Sequence, residues 1–79
     1  MNSMLPCNTL DLRGTRHPIN FKRSTFELGK MTCGELLEIL LDDGEPIENM
    51  PQSLAAEGHG VEGIEKLGDG GFIVFVRKV

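Results

Sequence analysis

Short runs of apolar residues, separated by turn residues, predict four β-strands. Residues 9–13 (TLDLR) alternate polar and apolar side chains, which is typical of a strand with one buried face. Residues 35–41 (ELLEILL) and 72–77 (FIVFVR) carry apolar side chains on both faces and predict two more strands. Residues 61–67 (VEGIEKL) predict the remaining strand, which the glycine-rich residues 68–71 (GDGG) join to residues 72–77 as a hairpin.

Two segments between these strands have the spacing of amphipathic helices. The first is expected over residues 18–30, with Pro18 at the first helical position, where a missing N–H costs nothing. Pro46 opens the second, and Pro51 predicts a kink or a restart within it. The positions that carry the spacing are Phe21, Thr25 and Leu28 in the first helix and Ile47, Met50 and Leu54 in the second.

The order of predicted elements is βαβαββ, which favours an α+β fold. We expect a two-layer α/β sandwich, with two helices on one face of a mixed four-stranded sheet. The first two strands should be parallel, because a right-handed crossover through a helix joins them. Since 79 residues supply one small domain with a thin core, we expect the domain to span residues 8–79 and residues 1–7 to form a flexible tail.

Composition narrows the classes of function. The net charge is −4 and the chain has no Trp or Tyr, so direct nucleic-acid binding is not expected. No apolar run approaches the roughly 20 residues of a membrane span, and no signal segment opens the chain, which favours a cytoplasmic protein without membrane contact. Two cysteines are too few for a disulfide scaffold. Cys7, Cys33 and His59 match no known zinc spacing, so neither a metal nor a cofactor is expected.

The charge is unevenly distributed along the chain. Residues 1–30 carry five basic and two acidic residues, whereas residues 31–79 carry three basic and ten acidic residues. Phe26 lies roughly 140° around the first helix from Phe21, so both rings cannot face the core, and Phe26 is expected to point outward. The outward-facing side chains of this helix form a stripe along it. This outward stripe is either a docking surface for an acidic partner or a solvated helix face with Phe26 folded along a neighbouring loop. Its predicted partner-binding residues are Ile19, Arg23, Phe26 and Lys30.

The start of the chain also carries a recognisable motif. Residues 10–14 (LDLRG), followed by His17-Pro18, resemble the opening of the TusA/SirA family of small sulfur-carrier (sulfurtransferase) proteins. That family reads L-D-x-x-G, then two residues, then C-P-x-P at the start of its first helix. Further family motifs agree in register at Gly34-Glu35, Asp42-Asp43, Pro51, Gly58-His59 and Arg77-Lys78. The corresponding family-motif residues are Arg13, Gly14, His17, Pro18 and Asn20.

Two motif positions depart from the family pattern, because His17 replaces its cysteine and Asn20 its second proline. In the family that cysteine sits at a helix N-terminus, which favours a thiolate able to accept sulfur as a persulfide. Imidazole forms no stable persulfide, so we expect no persulfide transfer at His17. No other residue is assigned a catalytic role. Neither Cys7 nor Cys33 should substitute, because one strand or one helix separates each from this site by roughly 18 Å.

The resemblance implies a TusA/SirA-like sulfur-trafficking protein that lacks the carrier cysteine. Such a protein would be an accessory or regulatory binder in sulfur relay or sulfur assimilation, with a cysteine desulfurase or a sulfur acceptor as its protein partner. The alternative is an interaction or scaffold module no longer connected to sulfur transfer. An enzyme with His17 as general base would need a nucleophile or a substrate pocket, and the sequence shows neither.

Overall fold

A computed structural model describes Pro6 and residues 8–79 and confirms the predicted order of elements. Predicted and observed boundaries agree within two residues. Apart from Pro6, the predicted tail over residues 1–7 lies outside the described residues, and so does Cys7. The elements are β1 (Asn8–Asp11), α1 (Ile19–Gly29), β2 (Leu36–Leu41), α2 (Glu45–Ala56), β3 (Gly60–Lys66) and β4 (Phe72–Arg77).

The four strands form one mixed sheet, as predicted, and the structure shows their order in the sheet to be β1-β2-β4-β3. β1 runs parallel to β2, with Leu10 opposite Ile39, so the crossover through α1 is confirmed. β4 is antiparallel to both of its neighbours, and Val74 lies opposite Ile39 of β2 and Ile64 of β3. β2 and β4 are therefore the central strands, while β1 and β3 form the two edges of the sheet.

The core lies between the sheet and its two helices. Alternate side chains of the central strands point toward the helices, because successive strand residues face opposite sides of a sheet. The helices contact each other and bury their apolar stripes on that same face, so the predicted two-layer arrangement is confirmed. The buried apolar side chains of the core cluster are Leu12, Leu28, Met31, Leu37, Ile39, Leu41, Met50, Leu54, Val74 and Val76.

Both helices begin one residue away from the predicted start, and the course of α2 also differs from the prediction. α2 begins at Glu45, one residue before Pro46. Pro18 is the N-cap of α1, so it precedes the first helical residue, Ile19, and the His17–Pro18 peptide bond is cis. α2 continues through Pro51 as a single helix, so the restart that was predicted as an alternative to a kink does not occur. Pro51 removes only one backbone donor, and it is buried beside Met50 and Leu54, whose packing holds the helix together. No helix within the described residues is long and apolar enough to span a membrane.

Two polar side chains of α1 are buried with the apolar core. Ser24 is fully buried, and its Oγ donates a hydrogen bond to the backbone oxygen of Asn20 at 2.9 Å. Asn20 is 1% exposed, and neither Nδ2 nor Oδ1 of its amide has a hydrogen-bond partner among the described residues. A buried polar group without a partner costs about 1–3 kcal/mol. Asn20 is therefore retained at this position at the expense of stability.

Replacing Asn20 with leucine is expected to raise the free energy of unfolding by about 1 kcal/mol or more. Leucine has a similar shape, needs no hydrogen bonds and is a better helix former. Asn20→Asp is the matched control and should lower stability, because it places a carboxylate in the core. Urea unfolding of the three proteins measures the differences. A loss of stability in Asn20→Leu would contradict this account and indicate that the amide has a hydrogen-bond partner.

Candidate functional site

The motif residues between β1 and α1 lie at one end of the sheet. Because β1 and β2 are parallel, their C-terminal ends lie side by side there. The turn of the β3–β4 hairpin lies at the same end of the sheet. The backbone N–H of Gly14 donates to Oδ2 of Asp42 at 2.6 Å, which ties the loop after β1 to the loop after β2. Gly14 has φ +84°, a backbone conformation that favours glycine. The fold thus brings two motif residues, Arg13 and Gly14, next to Asp42 and Asp69.

Arg13 holds this end of β1 in place. Its Nε and Nη2 donate to the two carboxylate oxygens of Asp11 at 3.0 and 2.9 Å, and its backbone N–H donates to Asp11 Oδ1 at 3.1 Å. Nη1 reaches Oδ2 of Asp69 in the hairpin turn at 3.5 Å. The hydrogen bonds from Arg13, aided by its charge, lower the pKa of Asp11 from 3.8 to about 2. The same pairing raises the pKa of Arg13.

His17 and Pro18 are exposed at the start of α1, whereas Asn20 is buried behind them. Among residues 8–79, the His17 side chain has no hydrogen-bond or ion-pair partner. The first turn of α1 contains no acidic residue, and no side chain caps its free N–H groups. The partial positive charge of the helix start is therefore not neutralised by any side chain of the first turn, which begins two residues after His17.

The outward stripe of α1 is exposed as predicted. Phe26 is 70% exposed and Ile19 53%, while Phe21 packs against the core. This confirms that the two phenylalanine rings point to different sides, and Phe26 is not folded against a neighbouring loop. Nζ of Lys30 lies 5.0 Å from the centre of the Phe26 ring, and Arg23 is exposed one turn earlier. The binding role of the stripe stays a prediction.

A groove of about 480 Å³ separates α1 from β1. Its apolar lining comes from Leu10 and Phe26, and its charged lining from Lys22, Arg23, Glu27 and Lys30. Sequence reasoning missed Leu10, Lys22 and Glu27. Helical spacing alone places Lys22 beside Arg23 on the exposed surface, but it does not indicate which strand lies opposite. The groove extends the predicted stripe to the edge of the sheet.

The second cysteine lies at the other end of the sheet. Cys33 is exposed after the end of α1, and the next residue, Gly34, donates its backbone N–H to the Lys78 carbonyl beyond β4 at 2.8 Å. Because β4 is antiparallel to β2, that end is opposite the one where Gly14 meets Asp42. Among the described residues, no three His, Cys, Asp or Glu side chains are grouped so that they could hold a metal ion. The structure thus gives Cys33 no access to the motif site.

Replacing Arg13 with glutamine is expected to return the pKa of Asp11 from about 2 toward 3.8, because the charged donor is lost. The pKa of Asp11 in the folded state lies below its unfolded value. Its contribution to stability is therefore complete above pH 3.8 and is lost as the pH falls through about 2. An NMR titration of the side-chain carboxyls measures the change. Glu62, whose pKa is lowered by Arg77, is the internal control. An unshifted Asp11 in Arg13→Gln would contradict the assignment.

Known proteins with similar sequences share the whole domain. A family model described as sulfurtransferase TusA matches residues 8–78. A proposed sulfur carrier protein of Archaeoglobus fulgidus is 32% identical over 69 residues, which cover 87% of this chain and 78% of that protein. A proposed sulfur carrier protein of Thermotoga maritima is 30% identical over 69 residues, which cover 87% of each chain.

A solved structure shares the fold. The crystal structure of a SirA-like protein from Desulfitobacterium hafniense superposes with a TM-score of 0.76 at 20% identity, covering 89% of this chain and 95% of that one. The likeness extends to two helices on a mixed four-stranded sheet. Because the family model spans nearly all the described residues and both relatives are at least 30% identical, the chain belongs to the TusA sulfurtransferase family.

Proposed function

We propose that this chain is an accessory or regulatory binder in sulfur relay or sulfur assimilation, and that it lacks the carrier cysteine of its family. Membership in a sulfur-carrier family supports a role in sulfur relay. The observation that carries the finer proposal is His17, which is exposed directly before the N-cap of α1, at the motif position where the family has its cysteine. The reducing cytoplasm, where such relays of free thiols operate, is the compartment that suits this role.

The chemistry of position 17 separates binding from transfer. A carrier accepts sulfur on a thiolate and releases it by exchange at sulfur, and imidazole offers no sulfur atom for either step. Cys33 is exposed but lies at the opposite end of the sheet. A partner that docked at the motif site would meet His17 and would transfer nothing to it. The complex would then block or hold the partner without consuming its sulfur.

The exposed stripe of α1 supplies a surface for such docking. A large exposed aromatic ring next to cations has the composition of an interface hot spot, and Phe26 lies between Arg23 and Lys30. In a chain of net charge −4, this basic surface favours a partner with an acidic face. The stripe begins at Ile19, two residues after His17, so a partner that reached the motif site would also contact the stripe.

The direct test is binding to a purified cysteine desulfurase and to a sulfur acceptor from the same source, measured by calorimetry. We expect a stable complex with at least one of them. The double change Phe26→Ala, Arg23→Glu should weaken it by about 30-fold, the equivalent of about 2 kcal/mol for loss of a hot spot. The matched control is Ile64→Ala, Lys66→Glu, which makes the same kind of changes on the opposite edge strand, β3. Absence of binding to both proteins would contradict the proposal and favour a module no longer connected to sulfur transfer.

Restoring the family residue tests the chemistry of the helix start. In His17→Cys, the thiol at position 17 should have a lowered pKa and should react with iodoacetamide faster than Cys33, because free N–H groups and no acidic residue surround the start of α1. Mass spectrometry of the alkylated peptides gives both rates from one sample. The variant should also take up sulfur from a desulfurase at position 17. Equal alkylation rates at the two positions would contradict the helix-start environment inferred here.

A further inference from the structure

β1 is an edge strand whose outer side has no partner strand among the described residues. The backbone N–H of Leu12 donates to the Leu40 carbonyl at 2.9 Å, which continues the parallel pairing of β1 with β2. Because alternate residues of a strand direct their backbone groups to opposite sides, Leu10 and Leu12 bond to β2. The N–H and C=O groups of Thr9 and Asp11 therefore point away from the sheet, where they can pair with another extended chain.

The groove between α1 and β1 runs beside this open edge. Leu10 points toward the helices, where it packs against the core, and it lines the groove together with the Phe26 ring. A strand added to the outer side of β1 would direct every second side chain toward the helical layer, and hence into this groove. The open backbone edge and the apolar groove could thus be filled by one extended segment.

The charge of the groove indicates the chemistry of that segment. Glu27 is already engaged, because it accepts a hydrogen bond from Asn8 Nδ2 at 3.0 Å and pairs with Lys30 Nζ at 3.3 Å. Lys22 and Arg23 have no ion-pair partner within residues 8–79. Two uncompensated cations beside an apolar floor favour a segment that carries both apolar and acidic side chains at every second position, because only those positions face the groove.

We propose that β1 and the groove beside it bind an extended acidic segment of a partner protein by strand addition. The segment pairs with the backbone of Thr9 and Asp11, lays apolar side chains on Leu10 and Phe26, and sets carboxylates against Lys22 and Arg23. Main-chain hydrogen bonds supply affinity in such complexes, and alternate side chains supply specificity. The inference rests on the proposed docking role of α1, and it adds the conformation and the charge of the partner.

The probe is an end-blocked peptide of about nine residues, titrated into the intact chain. Threonine stands at every second position and valine and glutamate take turns at the positions between, so that both of these face the groove. We expect the backbone amides of Thr9 and Asp11 to exchange with solvent about tenfold more slowly when the peptide is saturating. The same peptide with lysine in place of glutamate should bind about tenfold more weakly. A single-stranded RNA of equal charge should not slow these amides, because it offers no peptide groups to the edge.

Proline at position 9 tests the edge directly. Thr9→Pro removes a backbone N–H that does not bond to β2. Edge strands tolerate proline where the N–H points to solvent. It should weaken binding of the acidic peptide by about tenfold or more. Thr9→Ala keeps the donor and removes the hydroxyl that donates to Glu38, so it controls for the side chain and should change the affinity less than about threefold. If Thr9→Pro does not fold, the test can be made on the peptide instead, by N-methylating every second residue. Methylating the odd-numbered or the even-numbered residues gives two peptides, and only the one that loses the N–H groups facing β1 should fail to pair.

Three results would overturn the inference. One is equal affinity of the peptide for Thr9→Pro and Thr9→Ala, or equal affinity of the two N-methylated peptides. Another is slow exchange of the Thr9 and Asp11 amides in the free protein, because the edge would then already be occupied. The third is equal protection of these amides by RNA. The peptide assay uses no sulfur-pathway protein, so its failure is distinct from a failure of desulfurase or acceptor binding.

Discussion

The other elements of the fold are built around the pairing of β2 with β4. Both strands are central, and their alternate side chains supply half of the buried core cluster. β1 is held parallel to β2, which forces the chain through α1 and sets that helix over the sheet. The parallel pairing of β1 with β2 also brings the C-terminal ends of these two strands together, so that Gly14 contacts Asp42. The motif site is thus a consequence of how the core strands are ordered.

The motif site combines a firmly held loop with an open helix start. Arg13 binds Asp11 through three hydrogen bonds and reaches Asp69, so the chain leaves β1 in a defined direction. His17 and Pro18 are exposed just beyond it, in front of a helix whose first turn carries no acid. The loop is fixed by side-chain contacts, whereas the helix start beside His17 is left open to solvent.

The basic side of the molecule is assembled from both layers. α1 contributes cations and an exposed ring, and β1 contributes an apolar side chain and an open backbone edge. Neither element alone distinguishes this surface from a solvated helix or a short edge strand. Together they form a groove with directional hydrogen-bond groups along one side. An acidic extended segment is the ligand that uses all of these features at once.

Patterns along the chain were enough to predict the order of elements, the parallel start of the sheet, the family and the outward direction of Phe26. These follow from local periodicity, from turn residues and from a motif read along the chain. Tertiary packing decided the rest: Arg13 reaches Asp69, 56 positions away, α2 continues through Pro51, and Leu10 faces Lys22 across a groove. It also decided that Asn20 is buried without a hydrogen-bond partner among the described residues. Such contacts depend on which elements pack together, and packing joins residues that no local pattern relates.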